Sequence, residues 1–117
     1  MQIVRVYSGD DGQSHFEEID MAAFERAAND TVASLRAASD ITFRQAPIDM
    51  NMDWHNAPRR QYVITLAGQW EVAIGDGSVR RFGPGDILVA DDLTGQGHTT
   101  RSAGNEPRFT MIMPLPD

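Results

Sequence analysis

From Ile41 onward, turn chemistry cuts the chain at short intervals, and this punctuation limits what the chain can fold into. Gly75-Asp76-Gly77-Ser78, Gly83-Pro84-Gly85-Asp86 and Gly95-Gln96-Gly97 leave no room between them for a helix of ordinary length. The segments between the turns are rich in residues that favour strands. Residues 41–45 form one such run. Ile48, Met50, Met52 and Trp54 then alternate with Asp49, Asn51 and Asp53, a period of two. Residues 61–67 place Tyr62, Ile64 and Leu66 on one face and Val63 and Thr65 on the other. Residues 70–74, 79–82 and 87–90 follow, and Phe109, Met111 and Met113 alternate in a last strand. Turns recurring every ~8–12 residues are the pattern of a β-sandwich or barrel.

The first third of the chain is less regular. Residues 3–7 and 15–19 read as short strands around the turn Ser8-Gly9-Asp10-Asp11-Gly12. Residues 20–38 are alanine-rich and carry Phe24, Val32 and Leu35, with Asp20 as a candidate N-cap. They predict one short helix, interrupted near Asn29-Asp30-Thr31 and continued by irregular chain. The 117 residues fit one domain, 1–117, with the β-rich part at about 41–113 and a variable segment at 1–40.

Composition removes whole classes of chemistry. The chain has no cysteine, hence no disulfide, no thiolate metal site and no cysteine nucleophile. All ten basic residues are arginine, so Schiff-base chemistry and a phosphate-loop lysine are excluded. Imidazole chemistry must come from His15, His55 or His98. A net charge of −7 disfavours nucleic acid and anionic membranes as partners. The start, MQIVRVYSGDDG, lacks the basic and apolar regions of a secretory signal, and no apolar run nears the ~20 residues that span a bilayer. A cytoplasmic location is expected.

Two segments carry the remaining information. The first runs Trp54-His55-Asn56-Ala57-Pro58-Arg59-Arg60-Gln61 and continues as a strand to Gly68. The second runs Gly83-Pro84-Gly85-Asp86, a strand, then Leu93-Thr94-Gly95-Gln96-Gly97-His98. Together they resemble the two motifs of the cupin family. The first family motif is H-x-H, three or four residues, Glu, six residues, then Gly. His55 falls at the first histidine, Ala57 at the second, Gln61 at the glutamate and Gly68 at the closing glycine. In the second motif Pro84-Gly85-Asp86 forms the turn and His98 the terminal histidine, with Leu93 in place of a proline. The stretch between that turn and His98 is longer than usual, around Asp91-Asp92. The resemblance implies an all-β fold, a jelly-roll barrel of the double-stranded β-helix type.

It also implies a site. His55, Ala57 and Gln61 share odd parity, so in a regular strand they line one face, and His98 would meet them from a facing strand. His55, Gln61 and His98 are the implied metal ligands and catalytic residues, holding a divalent transition metal such as Zn, Ni, Mn or Fe. The family's full set is three histidines and a glutamate. Here alanine and glutamine replace two of the four. Neutral ligands leave a metal its full charge, which suits Lewis-acid work on an anionic substrate better than oxygen activation. Asp53 or Asp92 is positioned in sequence to restore a carboxylate.

The expected function is therefore binding or transformation of a small organic anion, lyase- or isomerase-like if enzymatic. A metal-free binding or sensor protein is the alternative. A third possibility is an interaction module whose interior is filled by Met, Phe and Trp side chains. Arg59, by parity with His55, is a candidate anion ligand. Tyr62 and Trp54 are candidate ligand-binding residues. Asp86 reads as a turn cap and His15 as a surface or edge residue. A homodimer is expected, with Tyr62, Ile64 and Leu66 forming either its face or packing between two sheets.

Overall fold

A computed structural model describes residues 1–19 and 40–116. The helix expected over residues 20–38 lies outside the described residues. Ten strands run in the order β1 (Ile3–Ser8), β2 (Ser14–Glu18), β3 (Thr42–Ala46), β4 (Asn51–His55), β5 (Gln61–Ala67), β6 (Gln69–Ala73), β7 (Val79–Phe82), β8 (Ile87–Asp91), β9 (His98–Ala103) and β10 (Arg108–Pro114). They form a six-stranded sheet, β2-β1-β8-β5-β10-β3, and a four-stranded sheet, β4-β9-β6-β7. The fold is all-β, in two hydrogen-bonded sheets rather than one closed ring. Only β1 and β8 pair in parallel; the other pairs are antiparallel. None of the described helices is long and apolar enough to cross a membrane.

The alternation along each strand divides its side chains between two environments. Inward residues Val4, Val6, Val63, Leu88, Ala90 and Ile112 of the larger sheet meet Trp70, Val72 and Phe82 of the smaller one. Trp70 and Phe82 stack with centroids 5.0 Å apart, and the Trp70 indole N–H donates to Thr65 Oγ1 at 2.8 Å. Each such side chain contributes about 1.5–3 kcal/mol by leaving water. The outer face of the larger sheet has a second cluster, formed by Ile3, Tyr62, Val89 and Leu115 with Ile19, Ile87 and Met113 against it. Strand β8 is thus apolar on both faces, which explains why its sequence, Ile87-Leu88-Val89-Ala90, shows no alternation.

Asp86 caps its turn. Its carboxylate accepts from Gly83 N–H at 2.9 Å and from Gln2 N–H at 2.8 Å, which ties the N-terminal strand to the Gly83–Asp86 turn. A second carboxylate, Asp91, joins three strands or loops. Arg5 Nε and Nη2 donate to its Oδ2 at 2.9 and 2.8 Å, and Arg60 Nε donates to Oδ1. Burial raises the Asp91 pKa, but the hydrogen bonds and charges of Arg60 and Arg5 outweigh it and hold the group below its ordinary 3.8. A depressed carboxylate stabilises the fold above its unfolded pKa, and that contribution is lost as pH falls through the lower folded value. Asp91→Asn is expected to cost about 2 kcal/mol at neutral pH. Urea unfolding at pH 7 and pH 3 checks this, because the gap between variant and parent must narrow in acid.

The period-two pattern beginning at Ile48 is only partly a strand. Met50 N–H bonds to Pro47 O at 3.2 Å in a turn, and β4 begins at Asn51.

Candidate functional site

The site depends on a break in register. In the β4–β9 ladder Met52 pairs with Thr100 and His55 with His98, so three steps on β4 match two on β9. This is a β-bulge, and a bulge re-aims the side chains beyond it. Met52 and His55, of opposite parity, both line the cavity between the sheets. Asn51 and Asp53 line a groove on the other side of the same strand. The regular parity assumed from sequence is therefore corrected at Asp53. The next loop is also irregular: residues 56–60 are not strand, so Arg59 does not follow His55 inward.

The cavity measures about 320 Å³. His55, Gln61 and His98 all line it, together with Ala57. His98 does not come from a facing strand. It is His55's direct neighbour on β9, and Gln61 reaches in from β5 of the opposite sheet. The two imidazole rings lie edge to face with centroids 4.4 Å apart.

Each ring is oriented through Nδ1. His55 Nδ1 lies 2.7 Å from the Asp53 carbonyl oxygen, which can only accept, so Nδ1 carries the proton. His98 Nδ1 lies 2.6 Å from Asp92 Oδ2, and Ser14 Oγ donates to the same oxygen at 2.6 Å. Asp92 is fully buried and Ser14 and His98 nearly so. Asp92 Oδ1 has no hydrogen-bond partner among the described residues. In a neutral ring this leaves the lone pair on Nε2, and both histidines line the cavity, the arrangement that prepares an imidazole as a ligand or base.

Glycine makes the ring pair possible. Gly97 has φ +81°, and a Cβ there would lie 2.0 Å from the His55 carbonyl oxygen. The chain entering β9 can approach β4 this closely only without a side chain.

Neither aspartate brings a carboxylate into the cavity. Asp53 holds His55 by its backbone, and Asp92 sits behind His98. Three candidate ligand-binding residues also lie elsewhere. Arg59 is exposed. Trp54 is 43% exposed at the bulge and does not line the cavity. Tyr62 belongs to the outer cluster of the six-stranded sheet, beside Arg5, Arg60 and Asp91, because its parity is opposite to that of Gln61 and Val63. Tyr62, Ile64 and Leu66 therefore face away from the inter-sheet core. His15 lies on edge strand β2 and pairs with Asp11 at 3.0 Å.

The structure adds residues that the motif comparison passed over. Arg44, Thr100, Arg108 and Thr110 line the cavity with the histidines. A signal for Arg108 and Thr110 was present in the alternation of β10, since Phe109, Met111 and Met113 on one face put Arg108, Thr110 and Ile112 on the other. Among the described residues no group of three His, Cys, Asp or Glu converges on one point. Any metal here would rest on two imidazoles and the Gln61 amide.

No protein-family model matches the chain, and no curated protein matches it. Among solved structures it is similar to a conserved protein of unknown function from Streptococcus pyogenes, SPY1581, at 19% identity and a TM-score of 0.51. The match covers 73% of this chain and 71% of that one. At that identity the likeness is one of fold alone.

Proposed function

We propose that this chain is a small cupin-type jelly-roll protein that binds a small, anionic organic molecule between its sheets and acts on it at His55 and His98. The observation that supports the reading is the pair of neighbouring imidazoles lining a 320 Å³ cavity, each held through Nδ1. A cavity of this size suits a small metabolite and argues against a filled interior.

The donor set fits a divalent metal held by His55 Nε2, His98 Nε2 and the Gln61 amide oxygen. The two imidazoles are neighbours in the lining, with ring centroids 4.4 Å apart. A metal bound there would supply Lewis acidity, consistent with lyase or isomerase chemistry. Asp92 fixes the ring orientation and tautomer of His98. The buried Asp92–His98 pair also favours a second, metal-free reading, in which His98 moves a proton as an acid–base residue.

Metal analysis of protein purified without a histidine tag separates the two. Near-stoichiometric Zn, Ni, Mn or Fe, lost in His55→Ala/His98→Ala, is the expected result. A trace of metal unchanged in the double variant would remove the metal-dependent reading. A homodimer belongs to the proposal. Phe43 and Phe109 stack on the outer face of β3 and β10, with Leu66 exposed on β5. A monomer in sedimentation at micromolar concentration would contradict it.

A further inference from the structure

We infer that Arg108 and Arg44 form a carboxylate-binding subsite in the cavity, so that the ligand is a small organic acid anchored by its carboxylate near β3 and β10. The inference rests on the reading of the cavity as a small-molecule site and adds the class of molecule and the residues that select it.

Five other arginines provide the contrast. Arg5 and Arg60 share Asp91, Arg80 pairs with Glu18, and Arg81 and Arg101 share Glu71. An acidic chain gives these cations partners. Arg108 is only 8% exposed, yet it makes no ion pair or side-chain hydrogen bond with any described residue. Its guanidinium carbon lies 4.6 Å from the centroid of the Trp70 ring. Trp70 supports one face of the guanidinium, and the hydrogen-bonding edge is left for something else.

Arg44 is its neighbour. In the β3–β10 ladder Arg44 pairs with Thr110 and Ala46 with Arg108, so the two arginines are diagonal on one face. Diagonal neighbours are within reach of long side chains. Both line the cavity, and among the described residues no Asp or Glu does. A buried cation and an exposed one thus share the lining with no anion among the described residues to balance them. The pKa of Arg108 falls to about 10, first through burial and then through the charge of Arg44. The group remains a cation at neutral pH, and a bound anion would relieve both effects. Thr100 Oγ1, buried without a partner among the described residues and in the same lining, is a further donor.

A carboxylate fits better than a phosphate. The planar guanidinium edge matches two carboxylate oxygens. The remaining lining includes Val63, Trp70, Leu88, Ala90 and Ile112, which suits a short carbon chain. A dianion would have to shed far more hydration to enter such walls.

The test uses the full chain with a chelator present, so that no metal carries the signal. Propionate, its neutral amide propionamide and inorganic phosphate are titrated by calorimetry and by NMR of the histidine rings. Propionate is expected to bind and propionamide to bind at least tenfold more weakly. Arg108→Gln is expected to weaken propionate tenfold or more, Arg108→Lys less, and the exposed Arg44→Ala about threefold. The amide comparison needs no variant, and Arg44→Ala alters an exposed side chain, so the proposal stays testable if Arg108→Gln does not fold. Phosphate binding tighter than propionate, equal binding of acid and amide, or propionate binding unchanged in all three variants would overturn the proposal. Arg108-dependent propionate binding that leaves both histidine rings unperturbed would uphold the subsite and remove the histidine-centred function. No propionate binding here, with stoichiometric metal in the separate metal analysis, would remove the subsite alone.

Discussion

Gly97→Ala is expected to destabilise the protein by about 3 kcal/mol and to separate His55 from His98. Two costs combine. A positive φ costs an alanine about 1–2 kcal/mol. The new Cβ would also lie 2.0 Å from the His55 carbonyl oxygen and 2.5 Å from its carbonyl carbon, both backbone atoms that cannot rotate away. Overpacking of this kind costs typically 1–3 kcal/mol. The strain falls on the β4–β9 bulge, so β4 must move and His55 must move with it. Gly77→Ala provides the control. Gly77 has φ +89° and open space around its Cβ position, so only the dihedral cost applies. For a domain of about this size 1 kcal/mol is worth roughly 4 °C. Thermal unfolding is therefore expected to drop by about 12 °C for Gly97→Ala and by about 4–8 °C for Gly77→Ala. Equal losses would show that the close approach of the two strands carries no weight.

Asp92→Ala is the second large effect. Asp92 accepts from both His98 Nδ1 and Ser14 Oγ, and all three side chains are buried. Alanine leaves two buried donors without a partner, and each costs about 1–3 kcal/mol. The expected loss is about 3 kcal/mol in urea unfolding. Asp92→Asn separates stability from site chemistry. Its amide oxygen can still accept from one donor, so the fold should lose about 1–2 kcal/mol. It no longer holds the His98 proton on Nδ1 by charge, and metal affinity at the site should fall 10–100-fold. Ser14→Ala removes a donor to the same carboxylate but leaves the His98 contact, so it should cost stability with little effect on metal affinity. If Asp92→Asn and Ser14→Ala change metal affinity alike, Asp92 has no special role in orienting His98.

The fold was legible where local chemistry was strong. Turns rich in glycine and aspartate place β6, β7 and β8 within a residue or so of the runs read at 70–74, 79–82 and 87–90. Alternation correctly separated Val63 and Thr65 from Tyr62, Ile64 and Leu66, but alternation does not say which face meets the second sheet. The site was legible as a set of residues, since His55, Gln61 and His98 do line one cavity. Its geometry was not. A bulge between Met52 and His55 is a property of pairing with β9, and strict parity therefore misplaced Asp53 relative to His55. Arg59 departs from the parity placement for a related reason: the chain from Asn56 to Arg60 is not extended strand, so parity has no meaning there. Arg108 was passed over because the family motifs concern ligand positions, whereas its burial without an acidic neighbour among the described residues shows only in tertiary packing.

The central claim is that His55 and His98 present paired Nε2 atoms to one cavity as its reactive end. Long-range nitrogen NMR of the imidazole rings during a zinc titration tests it most directly. Both rings are predicted to start as the Nδ1–H tautomer, and their Nε2 signals should shift together and saturate at one equivalent, with His15 unchanged. Nε2 signals of His55 and His98 that stay in place, or that move no more than those of His15, would contradict the account.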